Sequence, residues 1–141
     1  MMSIVVVAEN EQVAQARCEL VRSVLFEGCP PPVQVLPACS VDDVLDILVK
    51  GRIDVLITDE RLRGLTGAGL VRWLERLLTG TTTILLTSDP RILAEPWRFA
   101  VPEFNEVLAK PLQRDAVKAS LHLWLGLSTT LAATAVPSIT G

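Results

Sequence analysis

Short apolar runs alternate with longer segments of mixed apolar and polar residues along this chain. Runs such as Ile4 to Ala8 and Ile53 to Thr58 are apolar at nearly every position, which indicates strands covered on both faces of a sheet. The segments after them space their polar residues as helices do. Because five such strand and helix pairs follow one another, the pattern predicts an open, doubly wound (βα)5 domain of the α/β class with a parallel sheet.

The five pairs can be placed by residue number. Ser40, with Asp43 three residues on, predicts where the second helix begins. Pro90, Pro96 and Pro102 predict that the fourth helix is short or distorted. The predicted pairs are Ile4 to Ala8 with a helix to Phe26, Val33 to Pro37 with Val41 to Lys50, Ile53 to Thr58 with Gly67 to Leu78, Thr83 to Thr87 with a weaker segment, and Val107 to Ala109 with Leu112 to about Leu125.

Composition narrows the class of protein. A chain of 141 residues fits one domain, and its net charge of −3 argues against nucleic-acid binding, which needs a basic surface. Cys18, Cys29 and Cys39 are odd in number and lack CxxC spacing, so we expect thiols in the cytoplasm. The stretch 119–141 has no charged residue, but polar residues and Pro137 interrupt it. We therefore predict a domain over 1–126 and a small-residue tail over 127–141, with no membrane span.

Polar side chains follow the apolar runs where the strands of a parallel sheet would end. Glu9 and Asn10 follow the first run, Asp59 the third, Thr87 ends the fourth, and Lys110 follows the fifth. Such sheets bind ligands at the carboxyl ends of their strands. Carboxylates around an open position suit magnesium, and an ammonium and a hydroxyl can hold phosphoryl oxygens. Asp59 is the predicted nucleophile for a phosphoryl group.

Several motifs resemble the receiver domain of two-component response regulators, and the resemblance extends to about Leu125. The stretch DVLITDERLRGLTGAGLVRWL, residues 54–74, resembles the phosphoacceptor strand, loop and third helix, with Gly67 eight residues after Asp59. ILLTS resembles the fourth strand with its switch hydroxyl, and VLAKPL the fifth with its Lys-Pro pair, whose peptide bond is usually cis in the family. The resemblance implies a flavodoxin-like sheet with strand order 2-1-3-4-5.

The resemblance also implies roles for individual residues. Asp59 would be phosphorylated, Thr87 would be the switch hydroxyl, and Lys110 would pair with the phosphate. Mg²⁺ would be held by Asp59, Glu9 and the backbone carbonyl of Arg61. A histidine kinase or phosphotransfer protein would supply the phosphoryl group, an output protein would respond, and no external substrate would be turned over. Whether the domain forms a homodimer stays open.

The sequence departs from the family pattern at the end of the first strand. The family has two adjacent acids there, whereas this chain has Ala8-Glu9 or Glu9-Asn10, depending on register. Glu9 is favoured as the direct ligand with Ala8 replacing its helper, and Asn10 is the candidate in the other register. Val107 stands where many members have an aromatic residue. The alternative function is therefore a pseudo-receiver that is not phosphorylated and acts as a protein-interaction module.

Other functions of similar folds fit the sequence less well. The first loop, AENEQ, lacks the Ser, Thr and Gly of a flavin phosphate loop, and no GxxxxGK[ST] motif is present. Arg61 stands two residues after Asp59, where an aspartyl phosphatase has a second Asp. The sequence thus favours a signalling domain over an enzyme.

Overall fold

Strands and helices alternate along the described parts of the chain, which are residues 2–25, 32–96 and 103–125 of the computed structural model. Two short antiparallel strands, Arg61–Leu62 and Leu65–Thr66, form a hairpin that the apolar pattern did not predict. The elements are β1 (Met2–Val7), α1 (Glu11–Leu25), β2 (Val33–Ala38), α2 (Val41–Lys50), β3 (Val55–Asp59), β4 (Arg61–Leu62), β5 (Leu65–Thr66), α3 (Gly67–Trp73), β6 (Thr82–Thr87), α4 (Pro90–Ala94), β7 (Glu106–Ala109) and α5 (Arg114–Leu125).

Five parallel strands form the main sheet in the order β2-β1-β3-β6-β7. This is the predicted order 2-1-3-4-5, because the hairpin strands β4 and β5 lie outside the sheet. The register pairs Val7 with Thr58 and Thr87 with Ala109. The predicted doubly wound α/β fold is therefore confirmed, and β3 lies at the centre of the sheet.

Apolar clusters cover both faces of the sheet, as the continuous apolar runs predict. Alternate residues of β1 point to opposite faces, so Ile4 and Val6 join one cluster while Val5 and Val7 join the other. Helices α1 and α5 pack on the first face, and α2 and α3 pack on the second. Burying each such side chain contributes roughly 1.5–3 kcal/mol, which fixes the strand ends relative to one another.

Several predicted boundaries differ from the structure. β3 includes Asp59 instead of stopping at Thr58. Helix α3 ends at Trp73, five residues before the predicted end at Leu78, and turns follow it. Leu78 is nevertheless buried, which explains its apolar character. The fourth helix is short, as the prolines predict: Pro90 occupies its first turn behind the N-cap Asp89.

Helix α5 covers the sheet with one apolar face. Val117 and Leu121 are buried against the first cluster, whereas Leu123, on a different face, is 67% exposed. In the parts of the chain that the structure describes, no helix has the length and apolar character to cross a membrane. The predicted tail 127–141 lies outside the described residues.

Two of the cysteines lie within the described residues, and both are free thiols. Cys18 is on the buried face of α1, where burial raises its pKa to about 11. The hydrogen bond to Asp43 raises the pKa of Cys39. Both groups are therefore protonated at neutral pH. Cys29 lies outside the described residues.

Candidate functional site

The predicted strand-end residues Asp59, Thr87 and Lys110 meet at one edge of the sheet. Asp59 is the last residue of β3, Thr87 the last residue of β6, and Lys110 follows β7. The backbone N–H of Lys110 donates to the carbonyl of Thr87 over 2.9 Å, which holds the ends of β6 and β7 together. The Lys110-Pro111 peptide bond is cis. The structure thus brings together the three residues predicted to handle a phosphoryl group.

Asp59 is a buried carboxylate that lies between two cations. Its residue is 6% exposed, and among the described residues it is the one charged side chain in the buried class. Nη1 of Arg17 lies 2.6 Å from Oδ2, and Nζ of Lys110 lies 3.4 Å from Oδ1. Oδ1 itself is shielded from solvent and accepts no hydrogen bond from the described residues. One oxygen of the carboxylate is therefore fixed, and the other has spare hydrogen-bonding capacity.

Arg17 was not predicted as a site residue. It reaches Asp59 from α1, whose buried positions include Ala14, Cys18 and Val21. Arg17 lies three residues after Ala14 and four before Val21, so it flanks the buried stripe. A sequence signal was present: an arginine at the edge of an apolar helix face is placed to reach across the sheet end while its stem stays covered.

Thr87 uses its hydroxyl in two hydrogen bonds within the same edge. The hydroxyl donates to Oε1 of Glu60 over 2.5 Å and accepts from the backbone N–H of Asp89 over 3.0 Å. Thr87 is fully buried. The predicted switch hydroxyl therefore contacts Glu60, which the sequence reasoning missed, and the Asp59-Glu60 pair directly after an apolar strand was the available signal.

Gly67 is required where α3 begins because the chain passes so close to β3. Its N–H donates to the carbonyl of Glu60 over 2.9 Å, and a Cβ placed on Gly67 would lie 2.2 Å from the backbone oxygen of Asp59. Real Cβ atoms do not approach an oxygen so closely. This contact gives a physical reason for the glycine eight residues after Asp59.

The residues predicted to hold magnesium are placed less favourably. Ala8 is buried and is the next residue after Val7, which pairs with Thr58, so its methyl group ends β1 beside the end of β3. Glu9 is exposed, and Oδ1 of Asn10 accepts from the N–H of Val13, which caps α1. Arg61 lies in β4 with its side chain exposed. The ligand roles of Glu9, Asn10 and Arg61 stay predictions.

The donor set around Asp59 does not fit a magnesium ion in this conformation. Magnesium needs near-octahedral oxygen coordination and commonly takes one or two carboxylates. Within the described residues, no three His, Cys, Asp or Glu side chains are grouped so that they could hold a metal ion. Oδ2 of Asp59, moreover, already pairs with the guanidinium of Arg17. Two cations, Arg17 and Lys110, contact the carboxylate of Asp59.

Solved receiver domains share this fold. The response regulator receiver domain from Clostridium thermocellum matches with a TM-score of 0.70 at 20% identity, covering 93% of this chain and 99% of that one. The signal receiver domain of an HD domain-containing protein from Pseudomonas fluorescens matches with a TM-score of 0.68 at 22% identity, over 92% and 90%. No family model and no curated protein matches the sequence. The chain therefore has the receiver-domain fold of response regulators, as the motifs predicted.

A third match bears on the metal. The response regulator TrrA from Thermotoga maritima, solved in complex with Mg(2+)-BeF, matches with a TM-score of 0.66 at 17% identity, covering 88% of this chain and 99% of that one. That protein combines the fold with a bound magnesium ion. In the present chain, the same fold carries a guanidinium next to the central aspartate.

Proposed function

We propose that this chain is a receiver domain that accepts a phosphoryl group on Asp59 and thereby changes its affinity for an output protein. A histidine kinase or a phosphotransfer protein would supply the group in the cytoplasm. The observation that carries the proposal is the placement of the Asp59 carboxylate at the end of the central strand, between Arg17 and Lys110, where Oδ1 accepts no hydrogen bond from the described residues.

The chemistry needs little besides position and charge. Oδ1 of Asp59 attacks the phosphorus atom, a phosphorus–oxygen bond forms, and the bond to the donor breaks with its electron pair leaving on the donor. Lys110, 3.4 Å from Oδ1, lies where its ammonium can neutralise the incoming phosphoryl oxygens. The product is an acyl phosphate on this chain, so the chain acts as an acceptor and turns over no external substrate.

The phosphoryl group would change the contacts of Thr87. Its hydroxyl now donates to the carboxylate of Glu60, which follows Asp59 directly. A phosphoryl group on Asp59 adds negative charge close to Glu60 and offers oxygens that compete for the hydroxyl. Repulsion of Glu60 and transfer of the Thr87 hydrogen bond would reshape the loop that leads into β4, which gives an output protein a different surface.

The test is incubation with acetyl phosphate, with and without magnesium, followed by intact-mass measurement. We expect wild type to gain the mass of one phosphoryl group and Asp59→Asn to gain none. Asp42→Asn, which removes an exposed carboxylate on α2, is the matched control and should react like wild type. A folded wild-type protein that gains no adduct either with or without magnesium would refute phosphoryl acceptance.

The second candidate function is a pseudo-receiver that signals by protein binding alone. The observation in its favour is the end of β1, where Ala8 presents a methyl group and Glu9 is exposed. The same experiment separates the two functions, because a pseudo-receiver gives no adduct while it still folds and binds its partner. Sedimentation of the purified chain would show whether that partner is a second copy.

A further inference from the structure

Arg17 lies closer to Asp59 than Lys110 does, and its position is set by a packed helix. The guanidinium lies 2.6 Å from Oδ2, with side-chain exposures of 18% for Arg17 and 9% for Asp59. Helix α1 is capped by Asn10 and buries Ala14 and Cys18 against the sheet. Because the backbone of α1 is held in this way, the position of Arg17 beside Asp59 is set by a packed helix and not by a loop.

The charges at this edge of the sheet favour a phosphoryl group over a metal dication. The carboxylate of Asp59 contacts two cations, Arg17 and Lys110, whereas the nearby carboxylate of Glu60 accepts a hydrogen bond from the hydroxyl of Thr87. A divalent cation would enter against the two cations at Asp59, whereas phosphoryl oxygens would be attracted by them. A guanidinium is always protonated, and its fork of N–H donors matches the oxygens of carboxylates and phosphates.

The residue at the end of β1 also favours a phosphoryl group over a metal dication. A carboxylate at position 8 would add a negative charge beside Asp59, but Ala8 contributes a buried methyl group. Compared with a site that has an acid at position 8 and a neutral residue at position 17, this chain carries two more positive charges. Two positive charges are what a magnesium ion would bring.

We propose that Arg17 supplies the positive charge that magnesium supplies in metal-binding receiver folds, so that Asp59 takes up a phosphoryl group without a divalent cation. This inference rests on the proposed function. The phosphoryl group passes from acetyl phosphate to an oxygen of Asp59, acetate leaves with the electron pair of the broken bond, and no proton is transferred. Arg17 and Lys110 contact the phosphoryl oxygens that gain charge.

The first arm of the test follows adduct formation by intact mass in excess chelator and in magnesium. Wild type should form the Asp59 adduct at similar rates in both. Arg17→Gln should slow the reaction in chelator about 100-fold, the usual effect of removing one charge-stabilising donor, and Arg17→Lys should retain most of it. Arg22→Gln is the matched control, because Arg22 lies on the same helix but donates to the carbonyl of Val35.

The second arm measures metal binding without phosphoryl chemistry, through the melting temperature in magnesium titrations. Wild type should not respond. The double variant Ala8→Asp, Arg17→Gln, which restores an acid and removes the guanidinium, should be stabilised by magnesium, and Ala8→Asp alone should not. A wild-type adduct that forms only with magnesium, or a wild-type melting temperature that rises with magnesium, would overturn the role of Arg17 while leaving phosphoryl acceptance intact.

The two arms also distinguish failure of the proposed function from failure of the role of Arg17. If wild type forms no adduct in chelator or in magnesium, the proposed function fails and Arg17 has no reaction to assist. If the adduct forms in chelator at the same rate in wild type and Arg17→Gln, phosphoryl acceptance stands and Arg17 is only a structural ion pair. If Arg17→Gln fails to fold, Arg17→Lys decides, since it keeps the charge and should keep the reaction in chelator.

Discussion

The carboxyl ends of β3, β6 and β7 differ sharply from the end of β1, although all four strands belong to one sheet. The first three end in an acid, a hydroxyl and an amine that contact one another or their neighbours. β1 ends in the buried methyl group of Ala8. The difference shows that an acid, a hydroxyl and an amine can meet at one edge of this sheet without a pair of acids at the end of β1. Helix α1, directly after β1, carries Arg17, whose positive charge pairs with Asp59.

The largest effect is expected where β3 meets α3. Gly67→Ala places a Cβ against the backbone oxygen of Asp59 and should lower the free energy of unfolding by about 3 kcal/mol. Gly51→Ala is the control: it meets nothing within 4 Å and should change stability by less than about 0.5 kcal/mol. Urea denaturation measures both. Equal effects would mean that the close approach at Gly67 is not rigid.

The two cations of Asp59 should differ in their contribution to stability. Arg17→Met removes the shorter and more buried contact and should cost about 2 kcal/mol, whereas Lys110→Met should cost less than about 1 kcal/mol. Asp59→Asn in each background completes two double-mutant cycles, which isolate each pairing energy. A larger coupling for Lys110 than for Arg17 would contradict the view that α1 provides the main counter-charge.

A smaller effect is expected at the end of β6. Thr87→Val leaves the carboxylate of Glu60 and the N–H of Asp89 without their hydroxyl partner and should cost about 1.5 kcal/mol. Thr79→Val changes an exposed hydroxyl that donates to the carbonyl of Arg76, and it should be close to neutral. Chemical denaturation of the two variants gives the comparison. A neutral Thr87→Val would mean that the hydroxyl is free to change partners at no cost.

The smallest effect is expected beside β1, where α2 begins. Hydrogen bonds from Cys39, then from Ser40, lower the pKa of Asp43 in the folded protein. Its contribution is therefore present above its ordinary pKa of 3.8 and is lost as the pH falls through the lower folded value. Asp43→Asn should cost about 0.5 kcal/mol at neutral pH. The variant should also lose less stability than wild type on acidification, as melting temperatures across pH would show.

Much of the fold could be predicted because it depends on patterns that are local in sequence. The apolar runs of β1 and β3 and the cap at Ser40 locate strands and a helix start directly. The ends of elements were predicted less well, since α3 stops at Trp73 while the apolar spacing continues to Leu78. There, turns bury the same apolar residues that a longer helix would have buried.

The residues of the site also divide into those that the sequence predicts and those that it misses. Asp59, Thr87 and Lys110 could be predicted because parallel strands bring their carboxyl ends together. Arg17 and Glu60 left only weak signals in the sequence, because their roles depend on which of several rotamers reaches across the site, and that is decided by packing between distant segments. Sequence reasoning finds groups that the backbone places, and it misses groups that a long side chain places.

The contact between Arg17 and Asp59 also has a consequence for how relatives of this chain are recognised. A search pattern that demands two acids after the first strand would discard this chain, since it has Ala8-Glu9 there. A pattern that allows a small residue at that position, provided that an arginine follows nine residues later, would retain it. Alanine at position 8 and arginine at position 17 should therefore vary together among relatives, as a linked pair of substitutions and not as independent losses.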